Sequence, residues 1–419
     1  MVSPYDLTII GAGIVGLATA LKITEAHPGV RLLIIEKEPQ VAQHQTGHNS
    51  GVIHSGLYYR PGSVKAGTCV TGRKALLSFC DRNGVPYEIC GKTVVASSQD
   101  EVARLEELHR RGVANGIQGI QALGPERLKE LEPHASGVKA LYVPETGIID
   151  YKKVAEAYAA NIRASGGDIR LSHRLLGVLH RSSEIVLQTS AGDYRTRCVI
   201  NCGGLQSDRL ATMMGTDDHS GAQEEHQIIP FRGEYYKLAP EKHFLVRNLI
   251  YPVPDPAFPF LGVHFTRTID GGIEAGPNAV FAFAREGYRK LDINIGDLGR
   301  TVLFKGFWAM AGKYWRTGFG ELHRSLSKRA FVHALQKLLP EITEKDLISG
   351  GSGVRAQAVS ASGALVDDFV IRQSRNAIHV LNAPSPGATA SLAIGQRIAE
   401  MAAQTFDLKA QRSVGRLDA

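Results

Sequence analysis

The chain has little from which to build a metal centre or a disulfide frame. Its five cysteines, Cys69, Cys80, Cys90, Cys198 and Cys202, are odd in number and contain no C-x-x-C pair, which argues against a zinc site and bridging and for reduced thiols in a reducing compartment. No metal is expected. No uninterrupted apolar stretch reaches bilayer length, and no basic, apolar, small-residue leader precedes the first strand, so a cytoplasmic location is expected. Internal repeats and low-complexity segments are lacking as well. The formal charge of +7 is scattered, with only short clusters such as Arg110-Arg111 and Lys152-Lys153; without a clustered basic face, no nucleic-acid partner is expected. What remains is 419 residues of ordinary globular composition, 43% hydrophobic and 21% charged, long enough for two or three domains.

The most informative feature present is the run Leu7-Thr-Ile-Ile-Gly-Ala-Gly-Ile-Val-Gly16, followed by Glu36 at the end of the apolar run Val30 to Ile35. In a dinucleotide cradle, Gly11 permits the tight strand-to-helix turn, Gly13 lets backbone amides approach a pyrophosphate, and Gly16 allows close packing of helix on strand. The phosphates would sit at a helix N-terminus, where free N–H groups and the helix dipole favour an anion. An acid at position 36 accepts hydrogen bonds from ribose hydroxyls and repels a 2′-phosphate, so FAD or NAD is favoured over NADP.

Further along, Ser98 and Glu101 form a capping-box pattern before a helix, and Asp150 caps another that stops at Gly166-Gly167. The apolar strand Cys198 to Asn201 ends in Gly203-Gly204, a second place for close backbone approach. Gln227 to Gly276 reads as antiparallel sheet, aromatic and β-branched with proline breaks. The strand Ala377 to Leu381 leads into Asn382-Ala-Pro-Ser-Pro-Gly-Ala-Thr-Ala-Ser391, a loop opening a helix that is expected to fold back onto the cradle. The expected class is α/β: a Rossmann-like FAD-binding domain of glutathione-reductase type, with a second α+β substrate domain on a mixed, largely antiparallel sheet. Nucleotide segments are placed at residues 1–85, 146–215 and 346–419, substrate segments at 86–145 and 216–345.

The cradle, the loop His44-Gln-Thr-Gly-His-Asn-Ser-Gly-Val-Ile-His54-Ser-Gly, and the segments Pro144-Glu-Thr-Gly-Ile-Ile-Asp150, Asn201-Cys-Gly-Gly204, Pro230-Phe-Arg-Gly-Glu-Tyr-Tyr236 and Asn382-Ala-Pro-Ser-Pro-Gly387 resemble the FAD-dependent D-amino-acid-oxidase-like superfamily. More narrowly, the chain resembles the L-2-hydroxyglutarate dehydrogenases/oxidases over nearly its whole length. The resemblance implies oxidation of L-2-hydroxyglutarate to 2-oxoglutarate, with electrons passed to a membrane quinone or to oxygen. It implies FAD contacts from Gly11, Gly13, Gly16, Glu36, Lys37, His44, Thr46, Asn49, Ser50, Gly51, Gly203, Gly204, Pro386, Gly387, Ala388 and Thr389. Two other readings stay open: a related flavoenzyme acting on an amine or glycerol 3-phosphate, and a basic FAD-binding module serving RNA modification.

Oxidising a 2-hydroxy acid requires a base for the hydroxyl proton, and a histidine titrating near neutrality suits that task. His54, among small residues in the polar loop, is the first candidate and His264 the second; His44, His48 and His379 compete. A dicarboxylate needs two cationic sites. Arg355 is expected at one, with Lys65, Arg60 or Arg232 at the other, and Tyr59, Tyr235 or Tyr251 orienting the substrate. Finally, Leu303 to Phe319 holds both tryptophans of the chain, interleaved with Lys305, Lys313 and Arg316 and interrupted by three glycines. Such a stretch can lie in a headgroup layer, giving peripheral contact with the cytoplasmic face of the inner membrane; a buried connecting helix is the alternative.

Overall fold

A computed structural model describes residues 3–215, 226–255, 261–406 and 408. Its first sheet carries the strands Tyr5–Ile10, Leu32–Ile35, Asp168–Arg170, Gly192–Asn201 and Ala377–Asn382 in parallel pairings, extended by the antiparallel strands Leu175–His180, Ile185–Thr189 and Val370–Gln373. Leu32 to Ile35 is apolar at every position and wholly buried, the pattern of a parallel strand covered on both faces. One face is closed by the helices Ile14–Ala26, Tyr151–Ala164 and Ser391–Phe406 through Leu17, Tyr158 and Ile398. On the other face Leu33, Leu187 and Val199 of the sheet pack with Met214 of the helix Ser207–Met214. The C-terminal helix does fold back onto the cradle helix, and tightly: a Cβ on Gly395 would lie 2.6 Å from the Ala18 backbone.

The second sheet has nine strands. Its spine is the antiparallel pair His226–Leu238 and Leu347–Ser360, running from His226 opposite Ser360 to Leu238 opposite Leu347 with a register shift between Glu234 and Tyr236. Leu347–Ser360 therefore joins the second sheet, although the segment from 346 was expected in the nucleotide domain. Residues 216–225 and 256–260 of the expected substrate segment lie outside the described residues. The sheet is mixed: Leu249–Pro252 runs parallel to Lys92–Ala96 but antiparallel to His264–Arg267.

Two local expectations change. Ser98 makes no side-chain cap; Glu101 instead accepts from the amide and hydroxyl of Ser97, at 2.7 and 3.1 Å, because a short 3-10 turn precedes the helix Val102–Ala114. Asp150 caps as expected, accepting from the Lys152 amide at 2.8 Å.

Candidate active site

The cradle is shaped by backbone. Gly11 sits at φ +102°, and a Cβ there would stand 2.6 Å from the Cys202 carbonyl oxygen; one on Gly16 would strike the Gly11 oxygen at 2.1 Å. Gly13 differs: a Cβ there meets only the Thr46 hydroxyl, at 3.5 Å, and the space beyond is an open cavity of about 1600 Å³. Thr46 accepts from the Ile14 amide at 2.9 Å, tying the polar loop to the helix start. Glu36 is fixed at the strand end by the Ala12 amide (2.7 Å) and the Glu38 amide (3.1 Å). The cavity runs from Gly13 and Glu36 past Ser50, Gly203 and Gly204 to Pro386, Gly387, Ala388 and Thr389, and on to His54, His264 and Arg355. That volume exceeds the roughly 300–1,000 Å³ of a single small-ligand site. A dinucleotide and a small substrate together fit it.

Several of the expected contacts also make local bonds, Asn49, Lys37 and His44 among them while lining the cavity. Asn49 shapes the loop, donating to the Thr46 carbonyl at 2.7 Å and accepting from the Gly51 amide at 2.8 Å. Gly51, at φ +64°, lies against the Ile149 carbonyl and does not line the cavity. Lys37 and His44 line it but are bound to carboxylates: Lys37 pairs with Glu38 and, at 2.9 Å, with Glu286, while His44 meets Glu38 at 3.0 Å and the Tyr288 hydroxyl at 2.8 Å. Glu38, His44 and Glu286 lie close enough to ligate an ion, but the Lys37 ammonium already occupies their centre.

At the far end, Thr389 joins the two loops that shape the reaction chamber. Its hydroxyl accepts from the His54 amide at 3.1 Å and bonds the buried Tyr151 hydroxyl at 2.8 Å. His54 and His264 both line the chamber, and burial, reinforced by the Lys92 and Arg355 charges, holds each imidazole down to about 3. Either ring is therefore neutral at pH 7 with an open acceptor nitrogen, but a weaker base than an ordinary imidazole, and neither titrates near neutrality as expected from the sequence. The Gly262 carbonyl takes the Nδ1 proton of His264 at 2.8 Å, which leaves Nε2 as the acceptor, and the ring stacks on Tyr251 at 3.8 Å. His379 is excluded from the chamber: it is buried under the nucleotide sheet beside the Asn201 amide. His48 stacks on Tyr288 and meets the Ser352 carbonyl at 2.9 Å.

Among the cations, Arg355 lines the chamber and its charge reaches His54, His264, Tyr235 and Tyr251. Tyr59, Tyr235 and Tyr251 line it too, with burial raising Tyr235 to about 12 and the others further, so all three remain protonated donors. Lys65 is present but paired with Asp367 at 2.6 Å. Arg232 corrects the expectation: it binds Glu234 at 2.9 Å and the Arg289 carbonyl at 2.9 Å and does not line the chamber. Side chains alternate across a strand, so Gly233 and Tyr235 face the chamber while Arg232 faces the opposite side. Arg60 is exposed and outside it. Two groups escaped the sequence reading, Lys92 and Tyr58. The available signal was a lysine opening the otherwise uncharged Lys92-Thr-Val-Val-Ala96, every residue of which is buried.

A dinucleotide cradle opening onto buried imidazoles and an arginine in one continuous cavity is the arrangement of a flavin-type oxidoreductase. Residues 6–401 match the family described as FAD dependent oxidoreductase. The chain is similar to the L-2-hydroxyglutarate dehydrogenase of Indibacter alkaliphilus (52% identical, covering 96% of this chain and 100% of the relative). It is also similar to that of Escherichia coli K12 (43%, covering 99% of each) and to the mitochondrial enzyme of Homo sapiens (42%, covering 97% and 90%). Among solved structures, L-alpha-glycerophosphate oxidase from Mycoplasma pneumoniae with FAD bound shares the fold, with a TM-score of 0.79 at 21% identity over 99% of this chain and 97% of that one. The chain belongs to the FAD-dependent oxidoreductases and, within them, to the L-2-hydroxyglutarate dehydrogenase family.

Proposed function

We propose that the protein oxidises L-2-hydroxyglutarate to 2-oxoglutarate. The observation that carries this reading is the meeting of two neutral imidazoles, His54 and His264, with Arg355 in one chamber continuous with the cradle. FAD held along Gly13, Glu36 and the 386–389 loop supplies the acceptor for the hydride that leaves C2. Arg355 holds the carboxylate next to the reacting carbon in its planar fork, and the Tyr235 hydroxyl donates to the same end. His54 takes the hydroxyl proton as the C–O bond becomes a carbonyl, while His264, fixed by Gly262 and Tyr251, orients the hydroxyl. Anaerobic mixing of FAD-loaded protein with L-2-hydroxyglutarate, its D enantiomer and L-lactate tests the reading. Fast bleaching of the flavin by the first alone is expected; equal rates with lactate would remove the dicarboxylate from the account.

The electrons are proposed to leave to a membrane quinone, with oxygen as the slower acceptor. Among the described residues no helix is long and apolar enough to cross a membrane, so contact would be peripheral. Support comes from the helix Lys305–Leu326, which is bent at Tyr314. Phe307, Met310 and Tyr314 pack inward, yet the outer face is apolar too: Trp308, Trp315 and Phe319 are 59%, 54% and 66% exposed, beside exposed Lys305, Lys313 and Arg316. A helix apolar on its solvent face has a second surface to bury, and aromatics mixed with cations suit an anionic lipid interface. The segment is a helix, but only one face of it is buried. Leu291 and Ile293 also stand exposed on the rim of the cavity.

A further inference from the structure

A buried ammonium without an anion beside it is costly, because aromatic faces return only part of the hydration it gives up. Lys92 is 1% exposed. Its Nζ lies 4.3 Å from the centre of the Tyr58 ring and 5.0 Å from that of Tyr251, and no carboxylate among the described residues pairs with it. The phenol oxygen of Tyr58 is buried and has no hydrogen-bond partner among the described residues. Tyr58 and Tyr251 line the reaction chamber together with His54 and His264; Lys92 is not itself on the chamber wall, its ammonium lying against these two rings, and its charge reaches both histidines.

We propose that Lys92 and the Tyr58 hydroxyl form the subsite for the distal carboxylate of the substrate, leaving Arg355 to the reacting end. The assignment rests on the dicarboxylate reading above. The competing cations are already engaged, Lys65 with Asp367 and Arg232 with Glu234. The titratable groups that Lys92 touches or acts on among the described residues are uncharged at neutral pH: burial raises Cys69 to about 12 and raises Tyr58 and Tyr251, and lowers His54 and His264. Arg355, whose charge reaches the same two histidines, is positive as well. Burial also brings the Lys92 ammonium down to about 7, so an arriving carboxylate would restore and hold its proton. The substrate supplies the missing anion, and the Tyr58 O–H gives it a directed donor.

The test compares reduction of the FAD-loaded enzyme by L-2-hydroxyglutarate and by (S)-2-hydroxypentanoate, in which a methyl group replaces the distal carboxylate. For Lys92→Met, the ratio of the two kcat/KM values should fall by roughly 30-fold or more, as expected when one partner of a buried charged pair is removed; Lys92→Arg should recover part of it. Tyr58→Phe keeps the ring and should lower the ratio by roughly tenfold, the weight of a hydrogen bond to a charged group. An unchanged ratio in Lys92→Met, with both substrates losing equally, would overturn the assignment. If Lys92→Met fails to retain FAD, Tyr58→Phe decides in the same way. Binding of glutarate and butyrate to the wild-type holoenzyme, read from the flavin spectrum, is independent of turnover: glutarate binding no tighter than butyrate overturns the subsite. Preferred glutarate binding that Tyr58→Phe weakens, in an enzyme that L-2-hydroxyglutarate does not bleach, would retain the subsite and reject the proposed reaction.

Discussion

The two ends of the cavity are built by different means. At the nucleotide end, position is set by main chain: Gly11, Gly13 and Gly16 lie in one turn, Glu36 follows at the end of the adjacent strand, and the constraint at each glycine is a backbone atom or open space. At the substrate end, position is set by side chains from separate places. Tyr251, His264 and Arg355 come from three strands of one sheet, with Lys92 of a fourth strand packed against Tyr251, and His54 and Tyr58 come from the loop region facing them. The first end depends on shape and fails abruptly when filled. The second distributes charge, so single changes there should leave the cofactor in place and alter rate or affinity.

The sharpest way to break this contrast is at Gly13. Its Cβ position faces the cavity rather than a packed neighbour, so Gly13→Leu should fold but purify without flavin, since the side chain would stand where the pyrophosphate must lie. Colour retention after FAD reconstitution is the measurement. A yellow Gly13→Leu protein would mean that the cradle tolerates bulk and that its fit to a dinucleotide has been misread.

At the other end, His54→Asn should keep FAD yet slow its reduction by roughly two to four orders of magnitude, the usual contribution of a positioned acid–base group. Because the His54 and His264 imidazoles are both held at about 3, neither should give an inflection between pH 5 and 9. The inflection should come from Lys92, at about 7 in the free enzyme. Its cation is present below that pH and lost above it, so kcat/KM for L-2-hydroxyglutarate should fall as pH rises through neutrality, while that for 2-hydroxypentanoate should not. A shared alkaline fall for both substrates would place the titrating group at the reacting end instead.

The same contrast explains what could be read from the sequence. The cradle, the Asp150 cap and the C-terminal loop were legible because each is local: glycine, proline and a capping carboxylate act on the chain within a few residues of themselves. Arg355 was a candidate because it lies close in sequence to the C-terminal loop, but its strand was expected in the nucleotide half, and only the pairing of Leu347–Ser360 with His226–Leu238 shows which sheet it joins. Arg232 was misjudged for want of a known face. Lys92 acquires meaning only when Lys92–Ala96 lies parallel to Leu249–Pro252 and brings it beside Tyr251. No local pattern encodes that neighbour.

The smallest expected effect lies outside both ends, on the helix Lys305–Leu326. If its exposed aromatics meet lipid, the protein should co-sediment with vesicles containing anionic lipid and dissociate as salt rises, because the cations act through a screened surface potential. Replacing Trp308 and Trp315 by Ser should weaken vesicle binding and quinone-linked turnover several-fold, roughly the loss expected when buried apolar area is removed from a peripheral contact. Flavin reduction by substrate should be unaffected, since neither tryptophan lines the cavity. Both are more than half exposed, so the double change should also leave thermal stability within about 1 kcal/mol. Loss of stability together with flavin would assign the tryptophans to packing. Absence of vesicle binding at every salt concentration would point to a second copy of the chain as the cover for this face, and would leave oxygen or a soluble carrier as the electron acceptor.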